Sequence, residues 1–343
     1  MLKTFRAVAL IISLSPALAT AQDFNAGLAA AQSGDFATAL REWTPLAQQG
    51  DPAAQSNLAR MYVMGYGVPV DFAQAAQLYK LAADQGNIPA QRGLAELYYS
   101  GRGVEQDRLA AARLYNAAAQ QGDSISQSRL GLMFLRGDGI AENLENAATY
   151  LTAAANQNNP SAQYYLGNMY ARGQGVAQDR NEALRLIQSA AQLGFAKAQD
   201  QIAVFYRNGD AGLPQDDSQA VYWFQLAAEQ GLAGAQFSLA SQYRKGEGVA
   251  QDLAEQNRWL RAAAVQGLSK AQVNLGLNYA NGAGVPRDLV AAHMWLNIAR
   301  VNENEHAESN LQQVEALMTQ EQINTAAERA NICFNSNYAN CGE

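Results

Sequence analysis

The stretch Ala54–Gly86, AQSNLARMYVMGYGVPVDFAQAAQLYKLAADQG, decides the fold because it recurs. Its opening pair, Ala54-Gln55, returns at Ala90-Gln91, Ser126-Gln127, Ala162-Gln163, Ala198-Gln199, Ala235-Gln236 and Ala271-Gln272, in steps of 36, 36, 36, 36, 37 and 36 residues. A fixed period of this size marks a repeat array. Four residues after the pivot stands Leu or Ile (Leu58 to Leu275), one further on Ala or Gly (Ala59 to Gly276), and at eight an aromatic (Tyr62 to Tyr279). These offsets share one helical face, and the small residue admits a close partner helix. A glycine then closes the helix: Gly65, Gly101, Gly137, Gly173, Gly209, Gly246 and Gly282. Glycine turns left-handed without steric cost.

In most copies a second glycine and a β-branched residue complete the turn, as in Gly67-Val68, Gly103-Val104 and Gly248-Val249. Asp71, Asp107, Asn143, Asp179, Asp216, Asp252 and Asp288 are placed to N-cap a second helix. That helix has its own stripe, such as Ala75, Leu78, Tyr79, Ala82 and Ala83, or Ala220, Trp223, Phe224, Ala227 and Ala228. It ends at Gly86, Gly122, Asn158, Gly194, Gly231 and Gly267. A hairpin of this kind buries its stripe only against neighbours, so the expected fold is all-α, an α/α solenoid.

The pattern AxxxLGxxY, GxGV, D, AxxW/Y, AAxxG resembles the Sel1-like repeat, a relative of the tetratricopeptide repeat. The resemblance spans 54–300 in seven copies. It implies a right-handed superhelical solenoid, with the first helices lining a concave groove that holds a protein or peptide. It also implies an adaptor or regulator in envelope complexes or signalling. Some cysteine-rich relatives act on β-lactams, so a protein that binds or hydrolyses cell-wall material (muropeptides or β-lactams) is the alternative. The repeats here lack the intra-repeat cysteines of those relatives.

Residues 1–21 read as a secretory signal: Lys3 and Arg6, an apolar run from Ala7 to Leu14, Pro16, then small-x-small sites ending at Ala19 and Ala21. Cleavage after Ala21 takes the formal charge from −7 to −9 and leaves a periplasmic or secreted chain with no transmembrane segment. Residues 22–53 read as a degenerate N-terminal capping repeat, its first helix facing inward with Phe24, Gly27, Leu28 and Ala31. Pro45 falls inside the second helix of that unit. In the fifth copy Gly209–Pro214 is one residue longer, a surface insertion. In the sixth, Gln256 replaces an alanine, which predicts looser packing there.

Residues 301–343 read as C-terminal capping helices and a tail. The first spans 305–318 with Leu311, Val314 and Leu317 inward; the second opens at the capping box Thr319-x-x-Gln322 and runs to about Ile332. Cys333 and Cys341 are the only cysteines and read as a disulfide in an exported protein. Such a bridge is worth about 2–3 kcal/mol.

An acidic chain is a poor match for nucleic acid. The GxG turns follow helices, whereas a phosphate loop follows a strand, so no nucleotide or other cofactor is expected. His293 and His306 are the only histidines and form no catalytic or metal-ligand spacing. Positive charge gathers on the first helices, however. From two to ten residues after each pivot there are eight cations and two acids, Glu96 and Asp200. Offsets 3, 6 and 10 lie away from the buried stripe. They single out Asn57, Arg60 and Met64; Arg129, Leu132 and Arg136; Tyr165, Asn168 and Arg172; and Ser238, Ser241 and Lys245 as a candidate surface for a protein partner or an acidic peptide. The competing explanation is helix-dipole complementation, since Arg136, Arg172 and Lys245 end their helices.

Overall fold

A computed structural model describes residues 23–341. The expected signal segment 1–21 lies outside the described residues. Among those described, the chain is all-α, with eighteen helices and no strand. It divides into two compact units, one ending at Asp123 and one beginning at Ser124. The first holds α1 (Phe24–Gln32), α2 (Phe36–Gln48), α3 (Pro52–Met64), α4 (Phe72–Asp84), α5 (Ile88–Ser100) and α6 (Arg108–Gln120). The second opens with α7 (Ser124–Arg136), α8 (Leu144–Ala155), α9 (Pro160–Arg172), α10 (Arg180–Gln192), α11 (Ala196–Asn208) and α12 (Asp217–Glu229). It continues with α13 (Ala233–Lys245), α14 (Leu253–Ala264), α15 (Ser269–Asn281), α16 (Leu289–Val301), α17 (Ala307–Glu315) and α18 (Gln320–Asn335). Within each unit helices pair as hairpins, and each hairpin packs on the next, the architecture of an α/α solenoid.

Local chemistry explains the hairpin. The pivot residues and the aliphatics four residues on are all buried. Each second helix begins at the expected Asp or Asn, whose carboxylate or amide oxygen accepts from a first-turn N–H, as Asp107 does from Ala110 at 2.9 Å. The N–H of that cap also donates to the carbonyl of the aromatic that nearly ends the first helix, for example Asp179 to Tyr170 at 3.1 Å. The extra residue of the fifth turn leaves this closure intact, with Asp216 donating to Tyr206 at 2.8 Å. Gln256, the alanine replacement, is itself buried.

In four turns the second glycine has a further duty. Gly103, Gly175, Gly248 and Gly284 have φ of +67° to +71°. A Cβ there would lie 2.1–2.5 Å from backbone of the preceding hairpin's second helix, Leu144 O at 2.2 Å in the case of Gly175. The turn is thus a docking surface between hairpins.

Three expectations about burial are corrected. The aromatics at offset eight are only half-buried. Offset seven is buried in their place, as Met61, Leu97, Met133 and Met169. At about 100° per residue, offset seven returns to within about 20° of the pivot and eight lies about 80° away. In α1 Phe24, Gly27 and Ala31 face inward as expected, joined by Ala30, but Leu28 is exposed; Gly27 leaves room for the Trp43 indole, 2.5 Å from where its Cβ would stand. Leu311 and Val314 of α17 are inward, but Leu317 is 61% exposed, since the helix stops at Glu315 and Leu317 falls in the following turn. Pro45 is accommodated within α2, which runs on to Gln48.

The glutamine after each pivot is buried in every copy. Its amide nitrogen reaches back to the preceding hairpin, as Gln55 does to Ala47 O (3.0 Å), Gln236 to Ala228 O (3.1 Å) and Gln272 to Ala264 O (3.0 Å). Its oxygen accepts from an amide at the end of its own hairpin: from Gln85 to Gln55, Gln121 to Gln91, Gln157 to Gln127, Gln230 to Gln199, Gln266 to Gln236 and Asn302 to Gln272, at 2.7–3.1 Å. One rung is missing. Leu193 stands where the donor belongs and is 49% exposed, and Gln163 Oε1 is buried without a partner. Leu193→Gln is expected to add about 1 kcal/mol by satisfying that oxygen. The urea midpoint checks it, and no rise would mean that the orphaned oxygen costs nothing.

Candidate functional site

The start of the second unit gathers the most concentrated chemistry. A cleft of about 480 Å³ is lined from α7 by Ile125, Ser128, Arg129, Leu132 and Arg136, from the α9 region by Asn159, Ser161 and Tyr165, and by Phe195 and Lys197 at the start of α11. At its centre the Tyr165 hydroxyl accepts hydrogen bonds from Arg136 Nη2 at 3.2 Å and Lys197 Nζ at 3.4 Å. The Arg136 guanidinium also sits 5.6 Å from the centre of the Tyr165 ring, within cation–π range. Tyr164 and Phe195 buttress Tyr165 from behind, with ring centroids at 5.0 and 6.5 Å.

Of the residues singled out by offset, Arg129, Leu132, Arg136 and Tyr165 come together here. Asn168 lies beside them, its amide donating to Tyr164 O (2.9 Å) and exchanging hydrogen bonds with Gln201 (3.3 and 3.2 Å). Arg172 is exposed in the last turn of α9 and does not line the cleft. In the first unit Asn57 and Arg60 line a smaller recess of about 190 Å³ with Phe36, Trp43 and Tyr66, while Met64 is exposed. Ser238 and Ser241 are half-buried on α13, and Lys245 pairs with Glu247 at 3.2 Å.

Offset reasoning missed Phe195 and Lys197. Phe195 stands one period after Asn159, at the N-cap position that Asp51, Asn87 and Asn159 fill with a capping side chain, and it makes no such bond. An apolar residue where a cap belongs was the available signal, although Leu232 and Leu268 repeat it elsewhere.

Asp200 lies one turn beyond Lys197 on α11. Its Oδ1 is buried without a partner, and burial holds its carboxyl above the ordinary value of 3.8, with Arg207 opposing. The Tyr164 hydroxyl is likewise raised, first by burial and then by Tyr165 and Asp200. The folded chain therefore holds the Asp200 proton more tightly than the unfolded chain does. Stability from this group falls as pH rises from the ordinary carboxylate value through the raised one. Asp200→Asn should accordingly raise the urea midpoint near neutrality, and the gain should vanish below pH 3.8. A gain of equal size at both pH values would show that the charge is not the cause.

No group of His, Cys, Asp and Glu that could hold a metal is present among the described residues. None of their helices is long and apolar enough to cross a membrane. Cys333 and Cys341 are joined as a disulfide. Beside it a second cleft, of about 600 Å³, is lined by Arg261, Arg329, Ile332 and the residues from Tyr338 to Cys341.

Seven segments, 52–87, 88–123, 124–159, 160–195, 196–232, 233–268 and 269–300, match the Sel1 repeat, and the chain belongs to that family. Sel1 repeats are scaffold folds that generally bind protein partners and are generally not enzymes. Among solved structures, a Sel1 repeat protein from Oxalobacter formigenes is 32% identical at a TM-score of 0.67, covering 85% of this chain and 86% of that one. A protective antigen of uropathogenic Escherichia coli with the same repeat fold is 28% identical at 0.47, covering 92% and 85%. An immunity protein from Pseudomonas aeruginosa is 22% identical at 0.43, covering 63% and 81%. No curated protein matches the chain.

Proposed function

We propose that this chain is an exported scaffold that holds a protein partner at the Tyr165 cleft, serving as an adaptor or regulator in the bacterial cell envelope. The observation that carries the reading is the Arg136–Tyr165–Lys197 cluster, in which two cations and an aromatic from three successive hairpins meet at an open surface. Arg and Tyr are the residues that most often dominate protein interfaces. Export is supported by the signal-like residues 1–21 and by the Cys333–Cys341 disulfide, a bond that persists in oxidising compartments.

Crosslinking in intact cells followed by mass spectrometry tests the scaffold reading. A partner peptide joined to the cleft-bearing part of α7, α9 or α11 is the expected result, and the Arg136→Glu/Lys197→Glu variant should lose it. Crosslinks that survive in the variant would move the binding surface elsewhere. N-terminal sequencing of the mature protein tests export: a chain beginning at Gln22 supports it, and one retaining Met1 in the cytosol overturns it.

A further inference from the structure

The cleft lining carries two chemistries. Part is apolar, Leu132, Phe195 and Ile125, the last 46% exposed despite being a large aliphatic. Part is cationic, Arg129, Arg136 and Lys197. Arg136 and Lys197 both donate to the Tyr165 hydroxyl, and among the described residues neither forms an ion pair with a carboxylate. None of the residues lining the cleft is acidic, in a chain whose formal charge is −7. Some cations of this protein find acids of its own: Arg92 pairs with Asp123, Arg185 with Glu182, Arg258 with Glu255 and Lys245 with Glu247. Arg136 and Lys197 instead converge on one phenol oxygen.

A neutral hydroxyl accepts from cations but does not neutralise them. It holds them in place, and the ring fixes the guanidinium plane, so a carboxylate arriving between them meets donors that are already ordered. The apolar part of the lining then asks for an aliphatic or aromatic side chain near that carboxylate. An extended segment supplies this pairing, because successive side chains point to opposite sides and residues two apart share a face.

A nucleic acid or an anionic membrane fits less well. A phosphate backbone selects a long basic track, and this chain is acidic overall. The apolar part of the lining also offers nothing to a bare phosphate.

We propose that the cleft takes an extended acidic segment of a partner protein, one carboxylate lying between Arg136 and Lys197 over the Tyr165 hydroxyl and a neighbouring apolar side chain against Ile125, Leu132 and Phe195. This rests on the scaffold reading above and names the chemistry of the partner at that site.

Panning a random decapeptide library against the purified mature chain tests it, with the Arg136→Glu/Lys197→Glu variant as counter-selection and circular dichroism to verify its fold. The expected binders carry Asp or Glu beside Leu, Ile or Phe. Their affinity should fall at least tenfold in the variant and on replacing the acids by amides, and should weaken with added salt. Arg172→Glu/Arg244→Glu, which changes the charge equally but lies off the cleft, should leave binding unchanged; an equal loss there would make the effect one of net charge and overturn the proposal. Tyr165→Phe, a variant that keeps the ring, should weaken the same peptides several-fold. Binders without acids, or binders indifferent to the double variant, overturn the acidic segment while leaving the scaffold intact. An absence of any enriched peptide also overturns it, and the scaffold reading falls with it only if the cellular crosslinks are missing too. Tripolyphosphate competing as well as the acidic peptides do, molar charge for molar charge, would reduce the cleft to a simple anion site.

Discussion

Gly175→Ala is expected to lower the stability of the second unit by about 3 kcal/mol or more, through two costs that add. The residue has φ of +67°, where a side chain costs about 1–2 kcal/mol. Its new Cβ would also fall 2.2 Å from Leu144 O and 2.5 Å from Leu144 C, atoms of backbone that cannot rotate aside. Relieving that overlap means prising one hairpin from the next, at a further 1–3 kcal/mol or so. Gly212→Ala is the control. Gly212 also has positive φ, +85°, but nothing lies within 4 Å of its Cβ position, because the longer fifth turn stands away from its neighbour. Only the conformational cost remains there, about 1–2 kcal/mol. Urea unfolding followed by circular dichroism separates the two, and equal losses at both sites would refute close approach as the reason for the second glycine. Because a repeat array need not unfold in one step, hydrogen exchange in α8 and α9 should accompany the midpoints.

Removing the disulfide by Cys333→Ser/Cys341→Ser, or by reduction, is expected to cost about 2.5 kcal/mol for a loop this short. The loss should concentrate at the end of the second unit. The bridge holds the loop bearing Tyr338, whose hydroxyl donates to Asn302 Oδ1 at 3.1 Å and accepts from Asn302 Nδ2 at 2.9 Å. That same Asn302 amide donates to Gln272, the last rung of the glutamine series. Amide exchange should therefore rise in α18 and at the end of α16 and leave α9 unchanged. Thermal unfolding that is indifferent to reductant would show that the tail contributes nothing to holding the last rung.

Much of this protein was legible in its sequence because the features are local. A capping Asp, a left-handed glycine and an apolar face act within a few residues, and a period of 36 or 37 residues repeats each decision seven times. The hairpins, their turns, the capping box at Thr319 and the cysteine pair all follow from such short-range chemistry. What depends on how one hairpin leans on the next was not legible. The glutamine after each pivot reads as an ordinary polar residue until the Ala47 or Ala228 carbonyl of the preceding hairpin is placed beside it. The proposed binding surface is the sharper case. Arg136 shares its helical offset with Arg172 and Lys245, Arg129 and Tyr165 share theirs with Asn57 and Ser238, and nothing in the chain order separates them. Only the tertiary arrangement carries Lys197 and Phe195 across to Tyr165 and leaves Arg172 outside, because the side chains that meet at a cleft are chosen by the offset between stacked helices and not by position within one.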